Sequence, residues 1–150
     1  MSRIIIRAVH RDDFDQWQPL WAGYNLFYKR PVVPEEITRT TWSRFFDAYE
    51  PVHAFVAERE GQLIGLVHYL FHRNTSMIEP VCYLQDLFTS APARGEGVGR
   101  ALIEAVCDTA RDKGSTRVYW MTHETNVQAM ALYDQVAEKS GFVQYRKQIS

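Results

Sequence analysis

The sequence predicts a mixed α/β fold, one sheet flanked by helices, from three observations. Segments rich in β-branched and aromatic residues alternate with segments whose apolar residues recur every three or four positions. Glycines and prolines punctuate the boundaries between these segments. The 150 residues are 46% hydrophobic and 23% charged, which is the balance of one folded domain. We therefore expect a single domain, residues 1–150, with the element order β-α-α-β-β-β-α-β-α-β.

The first elements are expected to be one strand and two helices. Residues 4–9 are rich in β-branched side chains and predict a strand, after which Asp12 and Asp13 favour a helix start. The aromatic stripe of that helix is interpreted as core rather than as a ligand-binding face. It comprises Phe14, Trp17, Leu20, Trp21, Tyr24 and Phe27. We expect Pro31 to end this helix, and a second helix to cover residues 34–49.

The middle of the chain predicts a hairpin and then a central strand. Residues 54–58 and 63–71 read as two strands that enclose a short polar turn at Gly61. Residues 81–89 form an apolar run of the length that suits a strand buried inside a sheet.

The C-terminal third is expected to alternate helix and strand. A helix is predicted over residues 97–113 and a strand over residues 117–122. A second helix is predicted over residues 126–139 and should stop at Gly141. Residues 142–147 predict the last strand.

Composition and charge narrow the classes of partner. The net charge of -1 at pH 7 argues against nucleic acid or an anionic membrane as the main partner. No apolar run is long enough to cross a bilayer, and no leader segment precedes the first strand, so we expect a cytoplasmic protein. Cys82 and Cys107 each lie in an apolar segment outside any Cys/His cluster, so we expect reduced core thiols and no metal site.

The segment between the central strand and the next helix carries the clearest chemical signal. Gly95, Gly97 and Gly99 alternate there, and glycine permits positive φ and a close approach of the backbone to a ligand. Amides at the start of a helix can converge on an anion, and Arg94 and Arg100 add positive charge. The spacing fits neither a Walker A loop nor the dinucleotide motif. It predicts a pyrophosphate cradle, with a ligand-free glycine turn as the alternative.

With this segment the chain resembles the GCN5-related N-acetyltransferase (GNAT) superfamily, whose Arg/Gln-x-x-Gly-x-Gly/Ala signature is met by Arg94, Gly97 and Gly99. Residues 83–89 look like the fourth strand of that superfamily. A late motif is also similar; it consists of Asn126, Ala129, Leu132, Tyr133, Gly141 and Phe142. The resemblance implies a twisted, mostly antiparallel sheet with flanking helices. Residues 83–88 and 120–126 look most like the polyamine, small-amine and histone-type branch.

The resemblance implies acetyl-coenzyme A as co-substrate. The family's pyrophosphate contacts correspond to Arg94, Gly95, Glu96, Gly97, Val98, Gly99 and Arg100. The pantetheine arm would lie beside the backbone of Leu87, Phe88 and Thr89, where the fourth and fifth strands splay apart. A slot for the thioester would open between Thr89 and Thr122. Asn126 matches a polar contact to the arm, or serves as a simple helix N-cap.

The implied reaction is transfer of an acetyl group to a primary amine by direct attack within a ternary complex. Tyr133 would protonate the departing thiolate, although its spacing also suits a core tyrosine. The amide of Leu87 would stabilise the oxyanion. Many relatives carry Glu where this chain has Gln85, which leaves Asp86 as the candidate base or ammonium-binding group. His123, Glu124 or ordered water remain alternatives for proton removal.

The acceptor is expected to be a cationic amine of small-molecule, polyamine or lysine type. The first two helices and the late loops would line its pocket, with Tyr24, Tyr28, Trp42, Asp47 and Glu50 as aromatic and acidic candidates. Family members often carry a further strand after the one that follows Gly141, so we expect a homodimer to cover that sheet edge. Other possibilities are a catalytically silent acyl-coenzyme A sensor or partner module, and an unrelated phosphate-binding structural domain.

Overall fold

A computed structural model describes residues 2–30 and 32–150. The strands are β1 (Ile5–Ala8), β2 (Val52–Arg59), β3 (Gln62–His72), β4 (Val81–Thr89) and β5 (Val118–Tyr119). The helices are α1 (Phe14–Phe27), α2 (Glu35–Arg44), α3 (Val98–Asp112) and α4 (Val127–Val136), with short 3₁₀ turns at Arg11–Asp13 and Ala91–Ala93. The strands form one sheet in the order β1-β2-β3-β4-β5; the first three pairs are antiparallel, and β4 and β5 run parallel. The predicted mixed α/β fold is confirmed.

Each face of the sheet carries its own hydrophobic layer. On one face, α3 packs Val98, Leu102 and Val106 against the sheet, and all three are almost completely buried. On the other face, α1 packs its aromatic stripe against β2 and β3, together with partly buried rings of α2. The buried members of that second layer are Trp17, Leu20, Trp21, Tyr24, Val56, Leu63 and Leu66. The interpretation of the α1 stripe as core is therefore confirmed up to Tyr24 and wrong for Phe27, which is 51% exposed.

A β-bulge in β4 exchanges the two faces of that strand. Leu84 pairs with Tyr69 and Asp86 pairs with His68, so Gln85 is an extra residue in the ladder. Before the bulge, the side chain of Leu84 joins the α3 layer. After it, Phe88 packs on the α1 layer, and the side chain of Asp86 bonds to His68. An unbroken strand would have put Asp86 on the same face as Leu84, because side chains alternate with period two.

The second helix is shorter than predicted. The prediction of residues 34–49 is wrong at the C-terminal end, since α2 stops at Arg44. The chain then turns at Asp47, whose carboxylate accepts a hydrogen bond from the Tyr49 amide at 2.9 Å. Short carboxylate side chains stabilise such turns in competition with helix. The predicted role of Pro31 as a stop lies outside the described residues, and α1 itself ends at Phe27.

The C-terminal segment departs most from the prediction. α4 ends at Val136 rather than at the predicted Lys139, and residues 142–147 do not form the predicted strand. Phe142, Val143 and Tyr145 are 90%, 76% and 94% exposed, so they bury no apolar surface within the chain. A strand needs the backbone of a partner, and β5 offers a ladder of only two residues, Val118–Tyr119. The predicted fifth strand, residues 117–122, is correspondingly too long.

The two cysteines were expected to be reduced core residues. Cys82 and Cys107 are free thiols, and burial raises the pKa of both, to about 12 for Cys82, as expected of reduced core cysteines.

In the part of the chain that the structure describes, no helix has both the length and the apolar character needed to span a bilayer.

Candidate active site

The glycine segment forms an open cradle at the N-terminus of α3. Gly95 and Gly97 adopt φ values of +80° and +85°, the left-handed region in which glycine is strongly favoured. The Ala101 amide donates to the Gly97 carbonyl at 3.0 Å, so the amides of Val98 and Gly99 come before this hydrogen bond and are free at the positive end of the helix. A Cβ added at Gly97 would meet nothing within 4 Å. The cradle therefore has both the space and the donors for a phosphate group.

Ion pairs and hydrogen bonds fix the shape of this loop. Glu96 accepts from Arg59 of β2 at 2.9 Å, which ties the loop to the sheet. Arg94 donates through Nε to the Thr89 carbonyl at 3.1 Å and lies 5.5 Å from the centre of the Phe88 ring. The guanidinium of Arg94 thus lies at the end of β4. Arg100 donates through Nη2 to the side-chain Oε1 of Gln135 in α4.

Beyond the cradle, β4 and β5 separate. Their ladder comprises the pairs Cys82↔Val118 and Tyr83↔Tyr119, so the expected splay of the two strands is confirmed. The Ser90 amide donates to the carbonyl oxygen of Ile64 in β3 at 2.9 Å. Since amides in a strand alternate in direction, the Phe88 amide points to β3 and the amides of Leu87 and Thr89 point to the gap. Two of the three residues expected beside a pantetheine arm, Leu87 and Thr89, therefore direct their amides into this gap.

Tyr133 reaches this region from α4. Its ring packs edge-on against Trp120 with the centroids 5.5 Å apart. Burial, with a smaller contribution from Tyr28, raises the pKa of Tyr133 to about 12. The phenol therefore keeps its proton at neutral pH. The preceding residue, Leu132, lies 3.4 Å from the position that a Cβ on Gly99 would take, which places Tyr133 beside the start of α3.

The loop between β5 and α4 holds the remaining polar candidates. Asn126 occupies the N-cap position, but its side chain donates to Thr122 Oγ1 at 3.1 Å and caps no helix amide. Asn126 therefore has the position of a helix N-cap but lacks the side-chain hydrogen bond to a helix amide that a simple N-cap would make. His123 and Glu124 are exposed, and His123 Nδ1 lies 2.7 Å from Thr125 Oγ1.

Asp86 opens into a cavity on the other face of the sheet. The cavity has a volume of about 160 Å³ and is bounded by α1, α2, β2, β3 and β4. Its walls are formed by Trp21, Thr41, Arg44, Val52, His68, Tyr69, Leu70, Gln85 and Asp86. The side chain of Asp86 is 13% exposed, and its Oδ2 lies 2.9 Å from His68 Nδ1. Tyr24 lies nearby, and burial together with the Asp86 carboxylate raises the pKa of its phenol.

The first two helices contribute to the walls of this cavity, as expected of an acceptor pocket, but none of the five side chains predicted for that pocket is among the residues that line it. Trp42 packs inside the aromatic layer of α1, with its ring 4.9 Å from that of Trp17, and Asp47 is bonded within its own turn. Glu50 lies 3.8 Å from Arg44. Sequence reasoning missed Arg44 and His68 as cavity residues. The signal for His68 was its place in the middle of an apolar strand, where a polar group requires a partner.

Comparisons with known proteins agree on one family. The model of the acetyltransferase (GNAT) family matches residues 10–137. The D-amino-acid N-acetyltransferase HPA3 of Saccharomyces cerevisiae is 38% identical over 148 residues, which cover 97% of this chain and 91% of that protein.

Solved structures share the fold at lower identity. The aminoglycoside N-acetyltransferase AAC(6')-Iy, in complex with a bisubstrate analogue of coenzyme A, has a TM-score of 0.86 and 20% identity, covering 99% of this chain and 100% of that one. A ribosomal-protein-alanine N-acetyltransferase from Brucella melitensis has a TM-score of 0.82 and 20% identity, covering 98% of this chain and 100% of that one. The chain thus belongs to the acetyltransferase (GNAT) family and is an N-acetyltransferase whose co-substrate is acetyl-coenzyme A.

Proposed function

We propose that residues 1–150 act as one domain that transfers acetyl to the primary amine of a small acceptor by direct attack within a ternary complex. The observation that carries this proposal is the bulge in β4. It directs the Leu87 amide into the gap beside β5 and the Asp86 side chain into the cavity on the α1 face. Both substrates can therefore meet at one short stretch of a single strand.

The coenzyme side of the site is built from backbone amides. The residues that would hold the pyrophosphate are Gly95, Glu96, Gly97, Val98, Gly99 and Arg100, with Arg94 adding charge at the end of β4. Leu87 and Thr89 would bind the extended arm, and Asn126 would add a polar contact from the far side of the gap. Acetyl-coenzyme A supplies an activated acyl group. As negative charge develops on its carbonyl oxygen, the Leu87 amide is oriented to donate to it.

Tyr133 supplies the proton for the leaving group. Its phenol is neutral at working pH because its pKa is raised, so it adds no charge near the pyrophosphate. A phenol is also a hydrogen-bond donor that is already in place before the sulfur becomes negative.

Asp86 serves the acceptor. Among the ion pairs of the described residues, its carboxylate has no Lys or Arg partner and is bonded to His68. A mostly buried carboxylate without a cation favours a cationic ligand, as an amine is at neutral pH. Asp86 would hold the ammonium and accept its proton directly or through water, and His123 and Glu124 of the loop before α4 remain the alternative groups for proton removal.

We infer that the acceptor is a small amino acid rather than a polyamine. The support is that one cavity presents the negative Asp86 and the positive Arg44, the complement of a zwitterion. The pair of Arg44 with Glu50 is long, at 3.8 Å, and exposed to solvent, so a substrate carboxylate can compete for the guanidinium. The yeast relative, 38% identical, is named for acetylation of D-amino acids. A polyamine or a lysine side chain would leave Arg44 facing a second positive charge or a neutral chain.

A thiol-release assay with acetyl-coenzyme A tests the reaction and the acceptor class together. The panel contains D- and L-amino acids, their carboxamides, polyamines, aminoglycosides and basic peptides. We expect free amino acids to be the best acceptors, and their carboxamides to lose at least about tenfold in kcat/KM because the charged partner of Arg44 is missing. Arg44→Gln should remove that discrimination. Coenzyme binding without turnover of any acceptor would instead favour the silent sensor or partner module.

We also propose a homodimer in the cytoplasm. The two reduced thiols, Cys82 and Cys107, suit a reducing compartment. β5 is the edge of the sheet, and the exposed apolar segment of residues 142–149 suits pairing across a dimer interface, next to the equivalent edge of a second copy. Light scattering of the full chain should give twice the chain mass. Val143→Glu with Tyr145→Glu should shift it to a monomer, and Val32→Glu, at an equally exposed apolar position, should not.

A further inference from the structure

Three buried polar groups form a line from α1 to the candidate site. The Trp17 indole Nε1 donates to His68 Nε2 at 3.1 Å, and His68 Nδ1 lies 2.9 Å from Asp86 Oδ2. Trp17 and His68 are 0% and 2% exposed. Both nitrogens of the imidazole thus have a partner, one in the core and one at the cavity.

The indole of Trp17 fixes the tautomer of the His68 imidazole. An indole N–H can only donate, so His68 Nε2 must be the unprotonated, accepting nitrogen. The proton of the neutral ring is then on Nδ1 and is directed at Asp86, whose carboxylate can only accept. A second proton would have to go on Nε2, where it would face the Trp17 N–H. In this arrangement His68 accepts from Trp17 at Nε2 and donates from Nδ1 to Asp86.

We propose that His68 is a positioning residue for the acceptor site: it holds Oδ2 of Asp86 by a donated hydrogen bond and, with the Tyr24 phenol beside the same carboxylate, keeps that carboxylate turned to the cavity for the acceptor's ammonium. The proposal rests on the role proposed for Asp86. It follows from the geometry, because the imidazole ring itself packs against Phe45, with the ring centroids 4.8 Å apart, and against Trp17 and Trp21 of α1. Asp86 is thus oriented by a rigid aromatic layer before any substrate arrives.

The tautomer can be measured without any substrate. In ¹⁵N-histidine-labelled protein, we expect the His68 ring to show a protonated Nδ1 and a bare Nε2 at neutral pH, and Trp17→Phe to abolish that preference. A protonated Nε2 in the wild-type protein would overturn the proposal.

Two isomeric amide substitutions separate positioning from packing. In His68→Asn the amide nitrogen is attached to Cγ, as Nδ1 is in histidine, so a donor to Asp86 is kept and the acceptor for Trp17 is lost. In His68→Gln the amide is one carbon further out, so it can meet Trp17 but not Asp86. We expect acceptor kcat/KM to stay within about threefold in the Asn variant and to fall at least about tenfold in the Gln variant, with the same Kd for coenzyme A.

The outcomes point in different directions for a positioning and for a purely structural role. A structural role predicts that the Gln variant is at least as active and as heat-stable as the Asn variant; equal activities, or a deeper loss in the Asn variant, overturn the proposal. Asp86→Asn is measured in parallel. If that variant has wild-type kinetics, the role proposed for Asp86 fails; if it is impaired while His68→Gln is normal, the inference about His68 alone fails.

Discussion

Val98, the first residue of α3, lies directly against Gly65 of β3. A Cβ added to Gly65 would be 2.9 Å from Val98 Cγ1 and 3.1 Å from the Phe88 carbonyl oxygen. The missing side chain therefore sets how closely the start of α3, with its phosphate cradle, approaches the sheet. Few other positions couple the packing of the core so directly to the coenzyme site.

Gly65→Ala should destabilise the fold and loosen the cradle together. The added methyl group has backbone on one side and a helix on the other, so we expect the free energy of unfolding to fall by about 1–3 kcal/mol. Coenzyme affinity should fall as well, because α3 moves away from β4. Chemical denaturation and calorimetric titration measure the two effects. Gly99→Ala is the stability control, since its Cβ would lie at an ordinary 3.4 Å from Leu132.

Gly97→Val should weaken coenzyme binding at least tenfold, about 1.4 kcal/mol, because a side chain at φ +85° strains the loop and occupies the space above the amides. Titration calorimetry on the folded variant measures this. Gly141→Val is a matched control with φ +86° and equally open surroundings outside the cradle. Equal affinities for the Gly97 variant and the wild type would contradict the cradle assignment.

Tyr133→Phe should keep coenzyme affinity and lower turnover by roughly 10² to 10⁴, because the ring still packs and only the proton donor is lost. Tyr119→Phe, which removes a partly buried hydroxyl bonded to His72 Nε2 at 2.7 Å, should leave turnover unchanged. Single-turnover kinetics with saturating acceptor isolates the chemical step. A wild-type rate in that step would rule out the acid role.

The pH profile gives a second test of Tyr133. A general acid must be protonated, and burial raises the pKa of this phenol from 10.0 to about 12. Activity should therefore be lost only as the pH rises towards 12, with no fall near 10 from this group. A descending limb near pH 10 that disappears in Tyr133→Phe would mean that the site does not raise the pKa of the phenol.

Asp86→Asn should act on the acceptor side alone. The substitution keeps the shape but removes the charge and the ability to accept a proton, so we expect a raised acceptor KM or lower kcat with coenzyme Kd nearly unchanged. The rate should recover in part at higher pH, where more of the amine is already neutral. Full activity per folded molecule together with a lower melting temperature would make Asp86 a structural carboxylate, with proton removal by water near His123 or Glu124.

The sequence analysis was most successful where local chemistry decides the structure. The continuous apolar run of residues 81–89 predicted β4 to the residue, and the glycine-rich segment predicted the start of α3 to within one residue, since both depend on neighbours in the chain. The bulge at Gln85 left no local signal, although it decides which face Asp86 occupies. The pairing of His68 with Trp17 and Asp86 was equally hidden, because it joins residues 51 and 18 positions apart.

The terminal segment shows the limit of propensity as a guide. Residues 142–147 have the composition of a strand, but strand formation also depends on an available partner backbone. Within this chain the two-residue strand β5 provides almost none. A lack of packing partners also explains why α4 ends early. Residues 137–140 are exposed, and helices gain most of their stability from packing.

The bulge has a consequence for how this enzyme can change over evolutionary time. Past Gln85, β4 presents main-chain amides to the gap at Leu87 and a side chain to the cavity at Asp86. Amides are the same for every residue type except proline, so recognition of the coenzyme by this strand tolerates exchange of its side chains. With the roles proposed above for Arg44 and Asp86, acceptor choice would depend instead on side chains of the cavity. New acceptors can thus be acquired by point substitutions in the cavity without rebuilding the shared coenzyme site.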